Sequence, residues 1–298
     1  MVPDARRLPA YGILQDAAGA GDALPNQTCT NGVDLMATAP SPLRFAYSTI
    51  NWGVTPDLAA VAADIHASGW RAVELFWHDL GWLGPPNRLR DVLGNLRVAT
   101  LFGQAELPLT ASQATRMKNE IAYAADVGAA HYGLIGGTRH RHRPPAAEEE
   151  AALAAFCEDL ARYGESVGVQ VAYHAHAGCT VETEAEIDRL LNATQALTLC
   201  LDVSHIALVG EDPLAHWAKY GARTSYVHLK DWARGKFVEV GDGTLGIDFA
   251  GFLAALAAAA FPGWVVVEQS RSDVSPRHSA ERNAAAIRRL GYDPGGIR

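Results

Sequence analysis

Cysteine is scarce in this chain: Cys29, Cys157, Cys179 and Cys200 are the only four in 298 residues, and no two form a C-x-x-C pair. Thiols scattered in this way predict reduced side chains and a cytoplasmic protein, not a disulfide framework. Long apolar runs are missing too, and none approaches the roughly 18 residues that a membrane span requires. The stretch after Arg6 and Arg7 is interrupted by Gly, Asp and Gln, so it lacks the continuous apolar segment of a secretory signal. Positive charge is in deficit. With 25 Lys and Arg against 33 Asp and Glu the net charge is −8, which excludes the basic footprint of a nucleic-acid or anionic-membrane binder. No repeat of fixed period is visible, which excludes a solenoid. A small polar substrate fits this balance, and self-association into a homo-oligomer is compatible with it.

What the chain does have is apolar residues, 49% of the total, in an alternating arrangement. Residues 1–42, rich in Ala, Gly, Pro, Asn and Asp, predict a disordered tail, and Met36 is an alternative start just before the first strand. From residue 43 to 298 short β-branched runs alternate with Ala- and Leu-rich stretches, the pattern of βα units. Strands are predicted at 45–50, 72–76, 97–102, 132–135, 169–173, 197–202, 225–229 and 264–268. Helices are predicted near 55–68, 87–94, 110–127, 147–167, 184–192, 213–220, 248–260 and 277–290. Asp212 before Pro213, and Asp248, are helix-start signals, while Gly69, Gly128 and Gly168 are stops. Eight such pairs over about 250 residues predict one (β/α)8 barrel.

Catalytic groups of such barrels sit where strands end. The last four predicted strands each finish in a residue able to bind metal: His174, Asp202, His228 and Glu268. Neighbouring strands lie about 4.8 Å apart, so four such side chains can converge on one cation. Strand ends are uncertain by a residue or two, and His176 is therefore an alternative to His174. Two imidazoles and two carboxylates suit Mn²⁺ or Co²⁺, with Zn²⁺, Fe²⁺ or Mg²⁺ as alternatives. Glu74, His205 and Lys230 lie at further strand ends, and Trp52, Phe76, Trp77, Phe102 and Trp232 are candidate pocket walls. Gly241-Asp-Gly-Thr-Leu-Gly246 spells a dinucleotide fingerprint. Because no second βαβ half follows, it reads instead as a loop over the barrel mouth. The run Arg139-His-Arg-His-Arg143 reads as a solvated loop.

The stretches Tyr173-His-Ala-His-Ala-Gly-Cys-Thr-Val-Glu-Thr183, Leu201-Asp-Val-Ser-His205, Val227-His-Leu-Lys-Asp231 and Val266-Val-Glu-Gln269 resemble the xylose-isomerase-like superfamily of sugar isomerases, epimerases and dehydratases. Within it the chain is most similar to the inosose dehydratase group, over about residues 44–292. The resemblance implies metal ligands at His174, Asp202, His228 and Glu268. It implies substrate contacts at His205, Lys230 and Arg234, with Asn51 and Trp52 also in character and His176 nearby. Epimerases of the superfamily carry Glu where this chain has His174, so one of their two bases is replaced by an imidazole. The resemblance therefore implies a metal-dependent lyase dehydrating a keto-cyclitol or keto-sugar through an enediolate. Glu268, His205, Lys230 and Glu74 are the candidates for proton transfer. The alternative is a sugar isomerase or epimerase acting on a ketose.

Overall fold

The computed structural model describes residues 43–296 except 55, 77 and 140–142. The expected tail over 1–42, the alternative start at Met36, the wall position of Trp77 and His140 to His142 of the basic run lie outside the described residues.

The predicted strands are found as β1 (Arg44–Ser48), β2 (Ala72–Phe76), β3 (Arg97–Ala105), β4 (His131–Gly136), β5 (Gln170–His174), β6 (Thr198–Asp202) and β7 (Thr224–Leu229). After β7 the chain forms a hairpin, β8 (Asp231–Ala233) and β9 (Lys236–Val238), before the last barrel strand, β10 (Trp264–Val267). The eight barrel strands are parallel and close in the order β1-β10-β7-β6-β5-β4-β3-β2. Around them lie α1 (Leu58–Ala67), α2 (Leu80–Leu83), α3 (Pro86–Leu93), α4 (Ala111–Asp126), α5 (Ala147–Ser166), α6 (Glu184–Asn192), α7 (Val203–Leu208), α8 (Pro213–Tyr220), α9 (Phe249–Ala258) and α10 (Pro276–Arg289). The sequence pattern did not reveal α2, α7 or the hairpin, because each is too short to show a period. No described helix is long and apolar enough to cross a membrane.

The helix ends follow the local signals. Asp212 and Asp248 accept the N–H groups of Leu214 and Gly251, satisfying donors that have no partner inside the helix. Gly69 and Gly128 turn the chain from helix into strand at φ of 96° and 81°, the left-handed region in which a side chain is strained.

Each strand is buried on both faces. Outward residues such as Tyr173, Leu201, Val227 and Val265 join the helices in a large core. Inward residues form a second cluster that includes Ala46, Ala72, Phe76, Ala99, Phe102, Ala172, Cys200, Tyr226 and Trp264. Small residues make room here for large ones. Phe102 stacks on Phe76 with ring centroids 4.7 Å apart, and a methyl group added at Gly133 would overlap the Phe102 ring. Phe102 in turn lies 5.5 Å from the His174 ring and 5.4 Å from the His228 ring, so this packing forms the floor beneath those two side chains. Replacing Gly133 with Ala is expected to destabilise the protein by about 1–3 kcal/mol, read as a lower denaturation midpoint at unchanged m-value.

Candidate metal centre

The strand pairing sets the level of each candidate ligand. Asp202 pairs with His228 across β6 and β7, and His228 pairs with Val266 across β7 and β10. One pleat beyond Val266, the Glu268 N–H continues the ladder by donating to Leu229 O at 3.0 Å. His174, the last residue of β5, points inward beside them. The two-residue side-chain period then places all four at one end of the barrel. One ligand atom from each of His174, Asp202, His228 and Glu268 can be chosen so that all four lie within 4.8 Å of one another, and all four residues are buried.

The atoms are arranged as a cation site requires. Asp202 divides its carboxylate between two tasks. Oδ1 caps α7 by accepting the N–H groups of Ser204 at 2.9 Å and His205 at 3.1 Å. Oδ2 faces inward, 3.2 Å from His174 Nε2 and 3.1 Å from Lys230 Nζ. The Nε2–H of His228 donates to Glu74 Oε2 at 2.8 Å, which leaves Nδ1 to point at Glu268 Oε2, 2.9 Å away, and Asp202 Oδ2, 3.7 Å away. That Nδ1 is buried with no aligned hydrogen bond, as is Nδ1 of His174. A lone pair facing two carboxylates is tolerable only if a proton or a metal ion stands between them. The donor set therefore fits a divalent cation.

Without that cation, protons and an ammonium group carry the balancing charge. Burial opposes charge on His228, but the carboxylates of Glu74, Asp202 and Glu268 around it raise its pKa well above the usual value. Burial likewise opposes the Lys230 ammonium, and Asp202 and Glu268 hold it charged. Lys230 Nζ lies 3.0 Å from Glu268 Oε1 and 4.5 Å from the centre of the Phe237 ring. Cys200 comes within reach of His174 and His228, but burial pushes its thiol pKa up, so it packs beside them as a neutral group.

Beneath His228 the carboxylate of Glu74 accepts from Tyr226 OH at 2.6 Å as well as from the imidazole. Glu74 is wholly buried, so its side chain orients a candidate ligand and does not line the mouth. Tyr226 escaped notice in the sequence, although its inward parity with His228 was a usable signal.

His176 and His205 lie beside the quartet with ring centroids 3.5 Å apart. The backbone of one residue, Ala177, sets both tautomers. His176 Nδ1 donates to Ala177 O at 2.8 Å, and His205 Nδ1 accepts from Ala177 N at 3.4 Å. His176 thus presents Nε2 as an acceptor, while His205 presents Nε2–H as a donor. Burial, together with the charges of His174 and Lys230, lowers the His176 pKa to about 3. Burial also lowers that of His205 well below normal, with His176 and Lys230 adding to the effect. Phe237 of β9 packs edge-on against His205 at 5.3 Å, so the hairpin covers this side of the site.

Three sequence candidates are not brought to the quartet. Trp52 turns outward, its indole N–H on Asp64 of α1 at 3.3 Å and its ring 6.0 Å from Tyr47. Asn51 sits on the same short 3-10 turn, next to the Tyr47 hydroxyl. Arg234 occupies the exposed turn of the hairpin at φ 53°, directed by the two-residue β8–β9 connection and not by the barrel rim. Within the basic run, Arg139 pairs with Glu186 at 2.7 Å and Arg143 with Glu149 at 2.7 Å. The glycines at 241–246 serve the hairpin: Gly243 N–H donates to Asp231 Oδ2 at 2.9 Å, and an added methyl group there would strike that carboxylate. No nucleotide is needed to explain them.

Because His176 and His205 are neutral when folded, acid favours the unfolded chain, which takes up their protons first. For His176 the loss begins as pH falls through about 6.5 and continues towards 3. Asp202, held well below the ordinary carboxylate range against its burial by the Lys230 ammonium, adds a further loss once pH drops below about 4. The metal-free protein is therefore expected to show a denaturant midpoint that falls steadily below pH 6.5. Substituting His176→Asn should flatten the upper part of that curve.

The family model described as xylose isomerase-like TIM barrel matches residues 62–290. An inosose dehydratase of Lacticaseibacillus casei is 31% identical over 174 residues, 51% of this chain and 58% of that protein. The chain therefore aligns with a little over half the length of such curated relatives. Among solved structures, an L-ribulose 3-epimerase superposes with a TM-score of 0.70 at 17% identity, covering 83% of this chain and 94% of that one. The IolI protein with a bound zinc atom superposes with a TM-score of 0.68 at 16% identity, covering 83% and 98%. With the closed barrel and the four converging ligand atoms already established, the chain belongs to the xylose isomerase-like TIM-barrel family.

Proposed function

We propose that the chain is a metal-dependent lyase that dehydrates a keto-cyclitol or a related keto-sugar. The observation that carries this reading is His174 among the four converging ligand atoms. Exchanging a proton between two faces of a carbon needs a base on each face. An imidazole committed to metal binding cannot serve as one of them. Elimination instead needs one proton taken from carbon and one given to the departing hydroxyl, and His176 Nε2 can do both in turn, with the His205 Nε2–H beside it as a hydrogen-bond donor. The likeness to an inosose dehydratase supports the same substrate class.

His174, Asp202, His228 and Glu268 would hold the cation, with Glu74 orienting His228. When bound, the cation would polarise the substrate ketone and balance the charge that develops on its oxygen. Two imidazoles and two carboxylates favour Mn²⁺ or Co²⁺, and the zinc in the related IolI structure keeps Zn²⁺ among the candidates. In this scheme His176 Nε2 takes the proton next to the ketone, and the imidazolium so formed passes that proton to the departing hydroxyl, which leaves as water while His205 Nε2–H holds it by a hydrogen bond. Lys230 stays an ammonium group, which suits it to hold a substrate oxygen. Phe237 and the floor rings Phe76 and Phe102 exclude water.

Incubating the protein with 2-keto-myo-inositol and Mn²⁺ or Co²⁺, followed by mass analysis, tests the reading. Loss of one water is the expected result; an unchanged mass with altered stereochemistry would establish an epimerase instead. Removing the metal with a chelator should abolish turnover, and adding it back should restore it. Glu74→Gln is expected to weaken metal affinity about 10- to 100-fold while leaving the four ligands in place, measured by calorimetric titration. His228→Ala should eliminate metal binding and turnover together.

A further inference from the structure

A cavity of about 650 Å³ opens at the opposite end of the barrel from the quartet, where the strands begin. It is lined by the first residues of β1, β4, β5, β6 and β7, namely Arg44, His131, Gln170, Thr198 and Thr224, together with the η2 turn (Gly221–Arg223) and the start of β10. Its charge is one-sided. Arg44 and Arg223 line it, and no Asp or Glu does, although the whole chain carries −8. Neither guanidinium forms an ion pair among the described residues. Among the described residues their hydrogen bonds occupy Nη2 alone: Arg44 donates to Pro262 O, and Arg223 donates to Leu197 O at 2.6 Å and Thr194 O at 3.4 Å. Each therefore keeps Nη1 and Nε for another acceptor. Arg44 is also fixed in place, its guanidinium stacked over the Trp264 ring at 4.9 Å.

His131 adds a second, independent indication. It is 3% exposed, its Nδ1 has no hydrogen-bond partner, and its ring lines the cavity. A buried polar atom without a partner costs on the order of 1–3 kcal/mol, and a ligand reaching into the cavity would recover that loss. Burial, with a smaller contribution from Arg44, pushes the His131 pKa down to about 4, so the imidazole facing the cavity is neutral near pH 7. Trp217 and Phe261, edge to face at 5.7 Å, form an apolar wall of the same space. The volume far exceeds that of a single oxyanion, so the ligand carries a ring or short carbon skeleton as well as the anionic group.

We propose that this cavity is a second binding site, separate from the metal centre, for the phosphate group of a small phosphorylated metabolite. Arg44 and Arg223 grip the phosphate and the Trp217–Phe261 wall receives the carbon skeleton. Two planar guanidinium forks match phosphate geometry.

The test is calorimetric titration of the metal-free full-length protein with inorganic phosphate, glucose 6-phosphate and glucose. Both phosphate probes should bind, glucose 6-phosphate more tightly, with no signal from glucose. Arg44→Gln should weaken both about tenfold or more. Ala222→Glu should do the same by placing a carboxylate on the exposed part of the lining without removing any described hydrogen bond. Turnover and metal affinity should be unchanged in both variants. Absence of phosphate binding to the wild type, or equal affinity in the wild type and Ala222→Glu, would overturn the proposal.

Discussion

Two buried carboxylates, Asp202 and Glu268, govern the rest of the site. Moving them out of water costs several kcal/mol each unless charge of the opposite sign meets them. Every neighbour can be understood as part of that compensation. Lys230 bridges them, His228 stands between them and Glu74, and the α7 N-terminus takes the remaining oxygen of Asp202. A divalent cation would relieve the arrangement by replacing the His228 proton with a stronger and better-placed charge. The apo protein is in this sense already shaped for the ion. Its imidazoles and carboxylates are held at metal-binding separations by strand register and by hydrogen bonds outside the quartet, so binding requires little rearrangement.

Much of this was legible in the sequence, and the reasons are local. The predicted second strand matches β2 residue for residue, and the predicted helices over 184–192 and 213–220 coincide with α6 and α8. Gly69 before β2 and Asp212 before α8 mark two of those boundaries directly. The four candidate ligands were visible because each closes a run of β-branched or apolar residues. Glu74 was visible as a strand residue but not as a partner of His228. Its depth depends on the stagger of β2 around the closed barrel, and stagger is a property of pairing that leaves no mark on a single strand. Trp52 was misplaced for a related reason: the 3-10 turn after β1 rotates the chain outward, and Asp64, the partner that holds the indole there, is twelve residues away. The opposing tautomers of His176 and His205 depend on the backbone of Ala177, in the loop after β5, meeting α7, which only the folded chain brings about.

The two ends of the barrel differ in charge. The carboxyl-terminal rim gathers Asp202, Glu268, Glu74 and Asp231, whereas the amino-terminal opening gathers Arg44 and Arg223 with no carboxylate in its lining. Between them the interior is packed by Phe102, Phe76, Tyr226 and Trp264, with alanine and glycine opposite. A solid interior insulates one end from the other, so a cation-loving and an anion-loving environment can coexist within one closed sheet.

The division of labour within Asp202 has a bearing on how such a protein can diverge. One oxygen caps α7 and the other faces the quartet, so a substitution there would disturb a helix start together with the candidate cation site. His174, by contrast, ends its strand with no helix to cap, and its ring meets the site only through Nε2. Of the four positions it is the one where the side chain can be exchanged at least structural expense. A different side chain at this strand end would thus alter the chemistry facing the barrel mouth while leaving the capped aspartate, and the helix that starts on it, in place.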